Sequence, residues 1–163
     1  MPSQIDELDA RLIALMAAEP RIGLMEVSRR LSVARGTVQA RLTKLTERGV
    51  IKSFGPEVDP SRMGYPVLAF VFLEITQGRL TEAVEHLESV PEVLEAHATS
   101  GPRDLLCRVA AHDTEQLQEI INRLLSTSAV RRSTSYIVLS TQIPHRTGPL
   151  VEAASRSADQ AVS

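Results

Sequence analysis

Between Arg29 and Lys52 seven basic side chains (Arg29, Arg30, Arg35, Arg41, Lys44, Arg48, Lys52) stand against one acid, Glu47. The whole chain carries a formal charge of −2, so this run is a local concentration of positive charge. Guanidinium and ammonium groups at such density suit phosphate oxygens, displacing the counterions around a nucleic-acid backbone. Polar side chains among them can read base edges. Arg35, Thr37, Gln39 and Lys44 are candidates for base edges or flanking phosphates, with Arg41 beside them. Gly36 and Ala40 are small enough to let a backbone approach closely. Arg29, Arg30, Arg48 and Lys52 are candidates for backbone phosphates. Charge by itself fits a solvated basic helix equally well, so the elements that carry these residues must decide.

Asp6 to Ala18 predicts a first helix, with Leu8, Leu12, Leu15 and Met16 on one face and Asp6, Glu7 and Asp9 at its N-terminal dipole. Glu19-Pro20 ends it. Leu24 to Leu31 predicts a second helix, Ser32-Val33-Ala34 a tight turn, and about Arg35 to Arg48 a third helix closed by Gly49. Val38, Leu42 and Leu45 form the buried stripe of the third helix, which leaves Gly36, Ala40, Thr43, Lys44 and Glu47 opposite. Three helices with one short turn make a helix-turn-helix plan. Val50 to Phe54 and Glu57 to Asp59, hinged at Gly55-Pro56, predict two short strands of a wing. Asp59-Pro60, Gly64 and Pro66 mark a linker.

The second half repeats a pattern. Strands are expected at Val67–Ile75, Val93–Thr99, Asp104–Ala110 and Val130–Leu139, with helices at Leu80–Ser89 and Thr114–Ser126. Thr81-Glu82 and Thr114-Glu115 are expected at the helix caps. The order β-α-β-β-α-β implies a ferredoxin-like antiparallel sheet with both helices on one face. Its other face then needs a cover, and a second copy of the chain supplies one most simply. The fold class is therefore α+β: an N-terminal winged helix-turn-helix and a C-terminal ferredoxin-like βαββαβ domain. We divide the chain into a helix-turn-helix domain suited to DNA (1–53), wing and linker (54–65), a second domain expected to dimerise (66–141) and a tail (142–163), disordered from about Ser155.

Other chemistry finds little support. Cys107 is the single cysteine, so an intrachain disulfide and a cysteine zinc cluster are excluded. It sits among Leu105, Leu106 and Val109, where a packed thiol is expected. His86, His97, His112 and His145 lack metal-ligand spacing, and neither a nucleophile–base pair nor a phosphate-cradling glycine loop is present. No metal, cofactor or catalytic residue is expected. The longest apolar run, Val67 to Leu73, falls far short of the roughly 20 residues of a membrane helix. No basic stretch precedes an apolar one at the N-terminus, so a reducing cytoplasm is the expected location. Residues 1–53 carry +3 and residues 54–163 carry −5, which confines nucleic-acid binding to the first part. The loop Ser100-Gly101-Pro102-Arg103-Asp104 reads either as a β-turn or as a ligand loop; residue types leave both open.

The runs L-D-A-R-L-I-A-L-M, L-S-V-A-R-G-T-V-Q-A-R-L-T-K-L-T-E-R-G-V-I-K-S-F and V-D-P-S-R-M-G resemble the leucine-responsive regulatory protein/AsnC (Lrp/AsnC) family of bacterial and archaeal transcription regulators. V-P-E-V-L-E-A, S-G-P-R-D-L-L and A-V-R-R-S-T-S-Y-I-V-L resemble that family's effector-binding domain, and the likeness spans about residues 5–141. It implies a regulator that binds double-stranded DNA and responds to a small effector, an amino acid, held between dimers. By the same resemblance Thr99, Gly101, Arg103, Asp104, Ser133 and Ser135 would line the effector site. Homodimers would assemble further, into tetramers or octamers. Three positions depart from the family pattern. Ala34 replaces the usual serine cap before the third helix, Arg35-Gly36 falls where the family varies, and Arg103 replaces a common aromatic. Two alternatives stand beside this reading: an architectural, chromosome-compacting protein without effector, and an enzyme resembling siroheme decarboxylase subunits.

Overall fold

The computed structural model describes residues 5–160. The chain forms two compact units. One runs through Pro56 and takes up the chain again from Ile143; the other is Glu57–Gln142.

The first unit holds α1 (Glu7–Ala18), α2 (Leu24–Leu31), α3 (Arg35–Glu47) and α6 (Gly148–Gln160). Apolar residues at helical spacing meet in one cluster: Leu12, Val27, Leu31, Val38, Leu42 and Leu45 are buried together. A reciprocal capping box starts α1. The Asp6 carboxylate accepts from the Asp9 N–H at 2.9 Å, and the Asp9 carboxylate accepts from the Asp6 N–H at 3.2 Å. The turn after α2 passes through Ser32 in the left-handed region, φ 56°. Gly49, at φ 69°, closes α3 in a Schellman motif: its N–H donates to the Thr46 carbonyl and the Val50 N–H donates to the Leu45 carbonyl.

The wing strands expected at Val50–Phe54 and Glu57–Asp59 do not form; these segments are turn and coil. The physical reason lies at the helix end. The N–H groups of both Val50 and Ile51 are drawn to the Leu45 carbonyl, so the backbone winds around the terminus of α3 instead of extending. Both side chains pack on the helical core. The tail departs from expectation as well. Gly148–Gln160 is a helix, α6, packed against α1 with Val151 and Ala154 on the core cluster. Its apolar residues are few, which hid its amphipathic side in the sequence. Residues 161–163 of the expected disordered tail lie outside the described residues.

The second unit carries β1 (Val67–Ile75), α4 (Leu80–Glu88), β2 (Val93–Ala98), β3 (Leu105–Ala111), α5 (Thr114–Leu124) and β4 (Val130–Ile137). The four strands form one antiparallel sheet in the order β2-β3-β1-β4, as the ferredoxin-like plan requires. Ala69, Val71 and Leu73 of β1 and Leu105, Cys107 and Val109 of β3 face α4 and α5, and all are buried with Ala83, Leu87, Leu117, Ile120 and Leu124. Cys107 is thus a packed thiol, pushed up to about 11 by burial. The cap positions fall one or two residues earlier than expected. Asp113, not Thr114, caps α5 by accepting from the Gln116 N–H, and α4 begins after Arg79 without a side-chain cap. Leu80, expected inside, is 45% exposed, and Ala83 takes the inward place.

The opposite sheet face bears Leu68, Phe70 and Phe72 of β1, Leu106 of β3 and Tyr136 of β4. Cross-strand pairing of Phe70 with Arg108 and Tyr136 and of Phe72 with Leu106 places them together. Phe72 and Tyr136 meet edge to face at 5.9 Å between ring centroids. No helix of this unit covers this side.

Candidate DNA interface and effector loop

The sequence brings the candidate DNA residues onto one helix by burying Val38, Leu42 and Leu45. Arg35, Gly36, Thr37, Gln39, Ala40 and Lys44 are all exposed on α3. Gly36, Thr37, Ala40, Arg41 and Lys44 line an open concavity of about 390 Å³. A side chain at Gly36 would meet nothing within 4 Å, so its smallness serves the surface, not the packing. Ala34 precedes α3 without a side-chain hydrogen bond, which leaves the start of the helix without a side-chain cap.

The basic side chains divide into two sets. Arg29, Arg30 and Arg41 are held by carboxylates. Glu26 accepts from Arg29 Nη2 at 2.6 Å and from Arg30 Nε at 2.7 Å, and Arg30 also pairs with Glu19. The Arg29 and then the Arg30 hydrogen bond bring the Glu26 carboxyl down to about 2. Arg41, half-buried, reaches across to α1, where its Nη1 donates to Asp6 and, at 2.9 Å, to Asp9 Oδ1. Arg41 therefore lines the concavity with its guanidinium turned to the capping box of α1. The sequence reading placed it at the DNA; the structure adds to that an ion-pair contact with α1. The signal for this was Asp6 and Asp9, read only as dipole partners. By contrast Arg35, Lys44, Arg48 and Lys52 have no ion pair among the described residues.

In the second unit Thr99, Arg103 and Asp104 come together. The Thr99 hydroxyl donates to the Arg103 carbonyl at 2.6 Å, and the Thr99 N–H donates to the Asp104 carbonyl at 3.0 Å. Asp104 Oδ2 accepts from the Ile75 N–H at 2.6 Å, where the β1–β4 register shifts between Glu74 and Ile75. One carboxylate oxygen of Asp104 thus holds the bulge. Arg103 pairs with Glu74 and makes a 3.4 Å contact with the Thr134 hydroxyl. Gly101 is exposed in the same loop.

Ser133 and Ser135 are not part of this constellation. They pair with Leu73 and Val71, whose side chains face the helices. Thr134, one residue on, pairs with Phe72 and lies on the opposite face with Glu74 and Arg103. Sequence reasoning missed Glu74 and Thr134. The alternation of strand side chains separates Thr134 from its two serine neighbours, but only the register shows which face meets the loop. The histidines are dispersed: His86 Nε2 lies 2.8 Å from the Arg123 carbonyl, His97 beside Glu95, and His112 against the Gly64 carbonyl with Tyr65 stacked on its ring at 4.1 Å.

A helical unit with an exposed basic recognition helix, joined to a βαββαβ unit, defines a two-part DNA-binding transcription regulator. Residues 5–52 match a family model described as winged helix-turn-helix DNA-binding, and residues 68–147 match one described as Lrp/AsnC ligand binding domain. The HTH-type transcriptional regulator FL11 of Pyrococcus horikoshii is 31% identical over 137 residues, 84% of this chain and 91% of its own. The HTH-type transcriptional regulator Rv2324 of Mycobacterium tuberculosis is 32% identical over 144 residues, 86% and 95%. The structure of Escherichia coli AsnC superposes with a TM-score of 0.82 at 26% identity, covering 89% of this chain and 99% of that one. The transcriptional regulator NMB0573 of Neisseria meningitidis, solved as a complex with L-Met, has the same fold, with a TM-score of 0.76 at 23% identity over 89% and 96% of the two chains. The chain belongs to the Lrp/AsnC family of transcriptional regulators. It binds DNA and a small molecule and is not an enzyme, which sets aside the siroheme decarboxylase reading. Among the described residues no helix is long and apolar enough to cross a membrane.

Proposed function

We propose that this chain is a sequence-specific regulator that reads operator DNA with α3 and is controlled by an amino acid bound at the 99–104 loop. The observation that carries the DNA reading is the exposed face of α3. Gly36 and Ala40 leave room for a duplex between Thr37, Gln39 and Lys44, while Arg35, Arg48 and Lys52 stay free for phosphates. A two-fold dimer would present two such helices to half-sites about one helical turn, or a multiple of about 10 bp, apart. The uncovered sheet face of Leu68, Phe70, Phe72, Leu106 and Tyr136 supports that dimer, since an apolar surface of this kind is stable when buried. The complex of NMB0573 with L-Met supports the amino-acid class of effector. The effector acts only through a difference in affinity between two assemblies of the protein. Further assembly of dimers, to tetramers or octamers, belongs to the same proposal.

The test is binding to DNA upstream of the chain's own gene, against random competitor, with each of the twenty amino acids added in turn. Selective binding altered by one or a few amino acids is the expected result. Equal binding to random DNA would favour an architectural role and overturn the reading.

A further inference from the structure

We propose that the effector carries a carboxylate on its side chain, an acidic amino acid, and that Arg103 receives it. This rests on the reading of the 99–104 loop as the effector site. The argument is an inventory of donors and acceptors around that loop.

Several of the acceptors are taken. The Glu74 carboxylate is paired with Arg103. The Thr134 hydroxyl oxygen faces Arg103 Nη2. The Arg103 carbonyl accepts from Thr99, and Asp104 Oδ2 accepts from the Ile75 N–H. Asp104 Oδ1 has no partner among the described residues, which leaves it able to accept from an ammonium group. Donors are in surplus. A guanidinium has five N–H groups, and Arg103 directs its contacts to Glu74 and Thr134 alone. Arg132 pairs across the strands with Glu74, which places it on the same sheet face, and it is exposed with no ion pair among the described residues. One carboxylate, Glu74, therefore answers two guanidinium groups.

A cationic side chain entering here would have to displace Arg103 from Glu74 beside a second arginine. A neutral apolar side chain would leave the spare donors unanswered. A carboxylate answers them, because the planar fork of arginine binds it through two parallel hydrogen bonds. Glu74 then acts as a built-in competitor. It holds Arg103 in place in the free protein and yields, wholly or in part, to the ligand carboxylate.

Isothermal titration of the full-length protein with L-glutamate, L-aspartate, their amides, L-lysine and L-leucine tests this. One of the two acids is expected to bind at least about tenfold tighter than its amide. Arg103→Met should erase that preference with the far-UV spectrum unchanged. Glu74→Gln should tighten binding of the acid severalfold by removing the competitor. Equal binding of acid and amide, tighter binding of lysine, or loss of binding in Glu74→Gln would each overturn the assignment while leaving an amino-acid effector in place. Binding of none of the twenty amino acids would overturn the amino-acid reading itself, and this inference with it.

Discussion

Arg41 of α3 donates from Nη1 to Asp9 of α1 at 2.9 Å, and the same nitrogen reaches Asp6, the other half of the α1 capping box. One guanidinium thus joins the first turn of α1 to the middle of the recognition helix. Asp9 has only 10% of its side chain exposed and Arg41 30%, so losing the cation would leave a carboxylate poorly solvated. Arg41→Met should lower unfolding stability by about 2 kcal/mol, in the range of lost hydrogen bonds to charged groups, in urea titration. Arg41→Lys should recover part of it, because an ammonium is a point charge without the arginine fork. A variant of unchanged stability with an altered operator preference would return Arg41 to the DNA.

The same contact makes the protein acid-sensitive. Partial burial raises the Asp6 carboxyl, but the Arg41 hydrogen bond, the Asp9 N–H and the Arg41 charge together outweigh it and hold the group below its usual value of 3.8. A carboxyl depressed in the folded state binds protons more readily when unfolded. Its stabilisation is complete above about pH 4 and fades as pH falls through the folded value. The side chain is about half exposed, so the effect is at most about 1 kcal/mol. Melting temperatures from pH 2 to pH 6 should fall less steeply on acidification for Asp6→Asn than for the wild type.

The two sets of basic residues should differ in salt dependence. Arg35, Lys44, Arg48 and Lys52 have no carboxylate partner among the described residues, whereas Arg29 and Arg30 share Glu26. Glu26 stays ionised at any assay pH near neutral, since its carboxyl lies at about 2. Removing a phosphate contact lowers the slope of log affinity against log salt by about 0.9. Lys52→Ala or Arg48→Ala should do so without changing the preferred sequence. Arg29→Ala should change the slope less, and Glu26→Gln should raise affinity for all sequences. Equal slopes for Arg29→Ala and Lys52→Ala would show that the Glu26 pair opens on DNA.

Periodicity made most of the fold legible. Val38, Leu42 and Leu45 marked the buried side of α3, and the doubled strand-helix-strand order gave the sheet topology. What it left hidden depended on contacts between distant residues. Asp6, Asp9 and Arg41 are 35 and 32 positions apart at their pairings, and nothing local assigns them to each other. The wing strands failed because the Leu45 carbonyl, not a partner strand, captured the next two N–H groups. Around the loop, Thr99 and Asp104 were legible from the turn, whereas Glu74 and Thr134 arrive from strands whose register must be known.

The C-terminal helix should be part of the DNA-binding unit's core, although both family models end before it, at residues 52 and 147. α6 packs on α1, with Val151 and Ala154 against the helical cluster and Ser155 only 6% exposed. Leu150, beside Val151, is 71% exposed. Adjacent helical positions differ by about 100° around the axis, so the pair forms an internal control. Val151→Asp places a charge against apolar side chains and should cost about 1–3 kcal/mol. Leu150→Asp, on the solvent side, should change stability by less than about 0.5 kcal/mol. Urea denaturation of both full-length variants decides it. Equal stability of the two would mean that α6 leaves α1 in solution and adds nothing to the core.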